Sequence, residues 1–148
     1  MEPKIKYYPM YYGGIKQVYP NVLPGSAMYA QCIVAGNLIF VSGMTAQDIE
    51  TGKILEHDIK GQMNVALGKV EKALREAGSR LDNVIKTLIL LTNPDDYTLM
   101  RKTEFEYYQK HAPILVEQPP VSTLIHAKQI GPGLEYLVEV EVVAVLQR

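Results

Sequence analysis

Leu137-Val138-Glu139-Val140-Glu141-Val142-Val143-Ala144 alternates strictly from Leu137 to Val143. Even positions carry Val138, Val140, Val142 and Ala144, and odd positions carry Leu137, Glu139, Glu141 and Val143. Successive side chains on a strand point to opposite faces, so the pattern predicts a strand with one wholly apolar face. The other face holds two carboxylates two residues apart, about 7 Å from each other at about 3.3 Å of rise per residue. Two readings of that face stand side by side: a sheet surface wetted by solvent, or a cleft lined by Glu139.

Working outward from this strand, residues 84–91 read as a second strand, apolar apart from Lys86 and Thr87. A third strand is expected around Val121-Ser122-Thr123-Leu124-Ile125-His126. Residues 58–77 carry Ile59, Met63, Ala66, Leu67, Val70 and Leu74 at helical spacing, with Asp58 at the start and Gly78 as the stop. A second helix is expected over 97–110, with Tyr97, Met100, Tyr107, Tyr108 and His111 on its apolar side. Residues 29–34 and 38–42 are β-branched and apolar around Ala35-Gly36-Asn37, a hairpin signature. A short strand is expected over 15–19, followed by a loop over 20–26 marked by Pro20, Asn21, Pro24 and Gly25. Strands, helix, strand, helix and two strands make an α+β sheet with both helices on one face. Its other face has no helix left to cover it, so it is either wet or meets another copy of the chain.

Residues 1–14 hold two tyrosine pairs around Pro9 and end in Gly13-Gly14. They read as an extension preceding a single domain at 15–148. Tyrosine buries a large ring and keeps its hydroxyl wet, which suits an added strand or a clamp on a neighbouring surface.

Lys plus Arg (15) nearly balances Asp plus Glu (16) over 148 residues, and no basic run supplies a surface for phosphates. Nucleic acid is therefore not expected as a partner. Cys32 is the one cysteine, so neither an internal disulfide nor a cysteine zinc site is expected, and a cytoplasmic location is. No apolar run reaches the ~18 residues that argue for a membrane span. Phosphate loops, GxSxG, HExxH and CxxC are all missing, and His57, His111 and His126 are scattered, so no metal or cofactor is expected.

Leu38-Ile39-Phe40-Val41-Ser42-Gly43, the helix over 58–78, Asn93-Pro94-Asp95-Asp96-Tyr97 and Glu139-Val140-Glu141-Val142-Val143-Ala144 together resemble the RidA/YjgF family. The likeness runs from about Ile15 to the end of the sequence in the family's order. It implies a chorismate-mutase-like α+β subunit, a homotrimer, and small ligands held in clefts between subunits. It implies hydrolysis of reactive imines and enamines to the oxo acid and ammonia. Position by position, it implies that Tyr29, Ser42, Gly43 and Thr123 bind the ligand and that Glu139 positions the attacking water. Pro119-Pro120-Val121-Ser122 departs from the family's Pro-Ala-Arg-Ser, so Val121 stands where an arginine would grip the substrate carboxylate. The expectation is a trimer that binds a small organic molecule and acts on a C–N substrate other than a simple imino acid. The alternative is a binding or interaction module without chemistry. Glu139 without that arginine is expected to have a raised pKa and to leave the cleft negative unless another group compensates. Arg101, Lys128 and His126 are the candidate substitutes.

Overall fold

A computed structural model describes residues 4–22 and 28–148. The alternating stretch forms β8 (Val138–Val145), and its even residues Val138, Val140, Val142 and Ala144 are buried. β8 lies inside a six-stranded sheet of order β1-β4-β5-β8-β6-β7. Its neighbours are β5 (Leu38–Met44) and β6 (Val84–Leu91), both antiparallel to it. β7 (Val121–His126) closes one edge in parallel with β6. β4 (Ala30–Ala35) and β1 (Ile5–Pro9) complete the other edge. The amino-terminal tyrosine segment thus supplies an added strand, and it continues as a small ribbon of β2 (Tyr11–Tyr12) and β3 (Ile15–Lys16).

Two helices cover the apolar face. α1 (Ile59–Glu76) inserts Ile59, Met63, Ala66, Leu67, Val70 and Leu74 into the core, as their spacing predicts. Each of the larger of these side chains, fully buried, contributes roughly 1.5–3 kcal/mol. Asp58 caps the helix by accepting from the Gly61 N–H at 2.7 Å. At the other end Gly78 takes φ +86°, Ser79 N–H donates to the Leu74 carbonyl and Gly78 N–H to that of Arg75. That is a Schellman stop, which needs a left-handed residue where Gly78 sits. α2 (Tyr97–His111) and the short α3 (Ile114–Glu117) bridge β6 to β7.

Two expectations change, and a third lies partly outside the described residues. The strand over 15–19 shrinks to Ile15–Lys16, because its partner β2 has only two residues before Gly13-Gly14 turns the chain. The loop over 20–26 falls in part on residues 23–27, outside the described residues. α2 buries Met100, Thr103, Glu104 and Tyr108, while Tyr97 is 45% exposed and His111 is exposed. The reason is an ion pair: Glu104 enters the core because Arg101 reaches it at 2.8 Å and the Tyr108 hydroxyl donates to it at 3.3 Å. His111 instead stacks on Tyr107 at 4.2 Å and approaches Glu71 at 3.6 Å.

A buried amide ties α1 to the entry of β8. Gln62 is fully buried, donates to the carbonyls of Glu56 (2.9 Å) and Glu135 (2.7 Å), and accepts from the Leu137 N–H (2.8 Å). Gln62→Met removes all three bonds and strands backbone groups inside the fold. The expected loss is at least about 1–3 kcal/mol, read from urea unfolding. A loss below about 0.5 kcal/mol would show that these groups find water instead.

Candidate functional site

The odd residues of β8 face away from the helices, and there Glu141 is exposed while Glu139 is half-buried. The difference comes from β5. Val41 pairs with Val142 and Met44 with Val140, so β5 spends one extra residue at Ser42-Gly43 and bulges. The Glu139 side chain lies directly over Gly43: a Cβ built there would stand 1.8 Å from a Glu139 carboxylate oxygen. Glycine at 43 is therefore what lets the carboxylate lie across the strand.

The bulge opens into a cavity of about 450 Å³, with Tyr12, Tyr29, Gly43, Lys69, Tyr136 and Glu139 in its wall. A larger depression of about 520 Å³ near the end of α1 offers less chemistry. There Ser79 and Asn83 spend their side chains on backbone carbonyls and on each other, and Arg80 pairs with Asp82 at 3.1 Å.

Lys69 is the residue that the sequence reading missed. It reaches the cavity from α1 and donates to the carbonyls of Thr45 (2.9 Å) and Gln47 (2.7 Å). Burial lowers its pKa to about 8, against the attraction of Asp48 and Glu139. A signal was present: positions 62, 66, 69 and 73 form one helical row, and the other three are buried. Glu139 behaves as anticipated, its pKa raised first by burial and then by Glu141, with Lys69 pulling the other way.

Tyr29 and Gly43 share the cavity with Glu139. The Tyr12 hydroxyl donates to that of Tyr29, and the rings cross edge-to-face at 6.1 Å. Burial, followed by this bond, pushes the Tyr29 hydroxyl above its ordinary range. Ser42 spends its hydroxyl on the Ala30 carbonyl at 2.6 Å, so it braces β5 against β4. Thr123 and Val121 stand apart. In register, Leu88 faces both Glu141 and Thr123, and Lys86 faces both Val143 and Val121. Strand spacing puts Thr123 about 12 Å and Val121 about 17 Å from Glu139 within one chain. Val121 is 68% exposed on the edge strand.

None of the three candidate substitutes for the missing arginine lines the cavity. Arg101 is held by Glu104 and by the Ser122 hydroxyl at 3.3 Å, and His126 and Lys128 are exposed along and after β7. Lys69 supplies the positive charge, and it reduces without erasing the negative charge of Glu139 and Asp48.

The sequence model of the endoribonuclease L-PSP family matches residues 21–146. A RutC family protein of Pyrococcus abyssi is 34% identical over 107 residues, covering 70% of this chain and 84% of the relative. The chloroplastic Reactive Intermediate Deaminase A of Arabidopsis thaliana is 34% identical over 85 residues, which is 57% of this chain and 43% of that protein. A crystallised Entamoeba histolytica protein described as an endoribonuclease L-PSP superposes with a TM-score of 0.74 at 24% identity, covering 97% of this chain and 100% of that one. That likeness establishes the same α+β fold.

The raised pKa of Glu139 has a stability consequence. Between the ordinary carboxylate value and the raised one, the folded chain binds more protons than the unfolded chain, so stability falls as pH rises through that window. Glu139→Gln removes this dependence. Urea midpoints from pH 4 upward should therefore show wild type losing ground to Glu139→Gln as pH rises. A wild type that gains ground would mean that Lys69 outweighs burial.

Proposed function

The chain belongs to the RidA/YjgF family, matched by the endoribonuclease L-PSP model, and on that premise we propose a homotrimer with a small-molecule site in each intersubunit cleft. Glu139 activates water there for attack on a C=N carbon. The observation that carries this reading is Glu139 itself, half-buried over Gly43 at the wall of a cavity that also holds Tyr29. A carboxylate whose pKa lies above its usual range is suited to take a proton from water near neutrality.

The steps balance. Glu139 accepts a proton from water as the oxygen bonds to the imine carbon and the C=N π electrons move to nitrogen. Glu139 returns that proton to the nitrogen, giving the neutral carbinolamine. The carbinolamine hydroxyl proton then passes by way of Glu139 to the nitrogen as the oxygen lone pair forms C=O and the C–N bond breaks, which regenerates the carboxylate. Ammonia or an amine leaves. Thr123 and Val121 belong to this reading as groups brought by a neighbouring subunit, since strand spacing keeps them from Glu139 of their own chain. The helix-free sheet face, with Phe40 42% and Ile125 47% exposed, is a natural surface for that neighbour.

Val121 and the residual negative charge argue for an uncharged or cationic substrate over an imino acid. An anion desolvated beside Glu139 without a guanidinium partner is penalised by several kcal/mol. The same substitution supports the second reading, a binding module that has lost the reaction. RNA cleavage is disfavoured, because 15 basic against 16 acidic residues leave no net attraction for a phosphate backbone. A cytoplasmic site of action fits Cys32, a buried free thiol with its pKa pushed up to about 11 and no partner cysteine in the sequence.

Ammonia release from freshly generated imines is the test. Wild type should hydrolyse uncharged imines faster than 2-iminopropionate, and Val121→Arg should raise the rate on the latter. Glu139→Gln should lose at least about 10²-fold. No hydrolysis of any imine by wild type would leave the binding module as the correct reading. Native mass spectrometry should show a trimer at micromolar concentration; a monomer would remove the intersubunit site.

A further inference from the structure

The family match begins at residue 21, yet the cavity wall includes Tyr11, Tyr12 and Gly13. This chain therefore completes the site with a tyrosine ribbon that lies outside the matched region. The ribbon is fastened in place. Met10 is buried and its carbonyl accepts from Gln17, Gly14 N–H donates to the Ile49 carbonyl, and Tyr12 is bonded to Tyr29. Tyr136 adds a further ring to the wall. Aromatic side chains in such an arrangement offer faces and edges to another flat ring.

Charge narrows the choice further. Lys69 has three donors, and two are spent on the Thr45 and Gln47 carbonyls, so one remains for a ligand acceptor. Glu139 offers an acceptor to a ligand donor in the same cavity. An anionic ligand is opposed by Glu139, and a cationic one by Lys69. Asp48 is already spent accepting from the Glu50 and Thr51 N–H groups, so Glu139 and Lys69 are the charges that a ligand meets, and a neutral ligand leaves that pair to compensate.

We propose that this cavity takes an uncharged ring compound bearing an amide- or imine-like group, its ring against Tyr12 and Tyr29, its donor on Glu139 and its acceptor on Lys69. The inference deepens the function proposed above by naming the ligand class of the same site. Tyr12 and Lys69 become its specificity-determining residues.

Calorimetry on the full chain tests it with four probes: benzamide, benzoate, benzylamine and the ringless propanamide. Benzamide should bind tightest. Tyr12→Ala should weaken benzamide about tenfold, whereas Tyr12→Phe, which keeps the ring, should cost less than about threefold. Lys69→Met should weaken benzamide about tenfold and narrow its advantage over benzylamine. Benzoate, benzylamine or propanamide binding as tightly as benzamide overturns the inference, as does an unchanged affinity in Tyr12→Ala or no benzamide binding at millimolar concentration. The imine assay separates the two claims. Hydrolysis that depends on Glu139 without ring preference overturns this inference alone, and ring preference without hydrolysis overturns the catalytic reading alone.

Discussion

The dry face of β8 is the constraint from which the rest follows. Val138, Val140, Val142 and Ala144 can be buried only against α1, which forces β8 into the middle of the sheet between β5 and β6. The strict alternation then sends Glu139 and Glu141 to the face without helices. The same pattern that seals the core thus places the candidate catalytic carboxylate. Gln62 reinforces this by fixing the backbone at Glu135 and Leu137, just before the strand begins.

What distinguishes Glu139 from Glu141 is local. Both lie on the same strand face, but it is the Glu139 side chain that lies over Gly43. The bulge interrupts the β5–β8 ladder, and Lys69 comes from α1 beyond the end of β5, held on the Thr45 and Gln47 carbonyls, so groups from the helix and from the sheet share one cavity. Burial pushes the carboxyl upward and the ammonium downward to about 8, and each group's charge opposes the other's shift. The cavity thus holds both a carboxylate and an amine in a chain that carries Val121 on its exposed edge strand.

The periodic elements were legible because they obey one-dimensional rules. α1 was readable from its caps and its 3.6-residue stripe, β6 from an unbroken apolar run, and β8 from alternation. The likeness to a family supplied Tyr29, Gly43 and Glu139, and the fold does bring these three together. α2 was less legible, because a salt bridge between Arg101 and Glu104 allowed a carboxylate into the core while Tyr97 stayed outside. Hydrophobic periodicity has no means of anticipating a paired charge.

By itself the sequence determined the apolar faces, the α1 caps, the uncovered sheet surface and the carboxylate directed away from the core, since each depends on neighbours a few residues apart. Tertiary structure alone decided that Tyr12, Lys69 and Glu139 line one space, because these residues are far apart in the chain and meet only after strand order and the bulge are set. It also decided that Val121 and Thr123 are separated from Glu139 within a chain. Strand order is fixed by which faces can be buried together, and that is a property of the whole packed sheet, beyond any single stretch of residues.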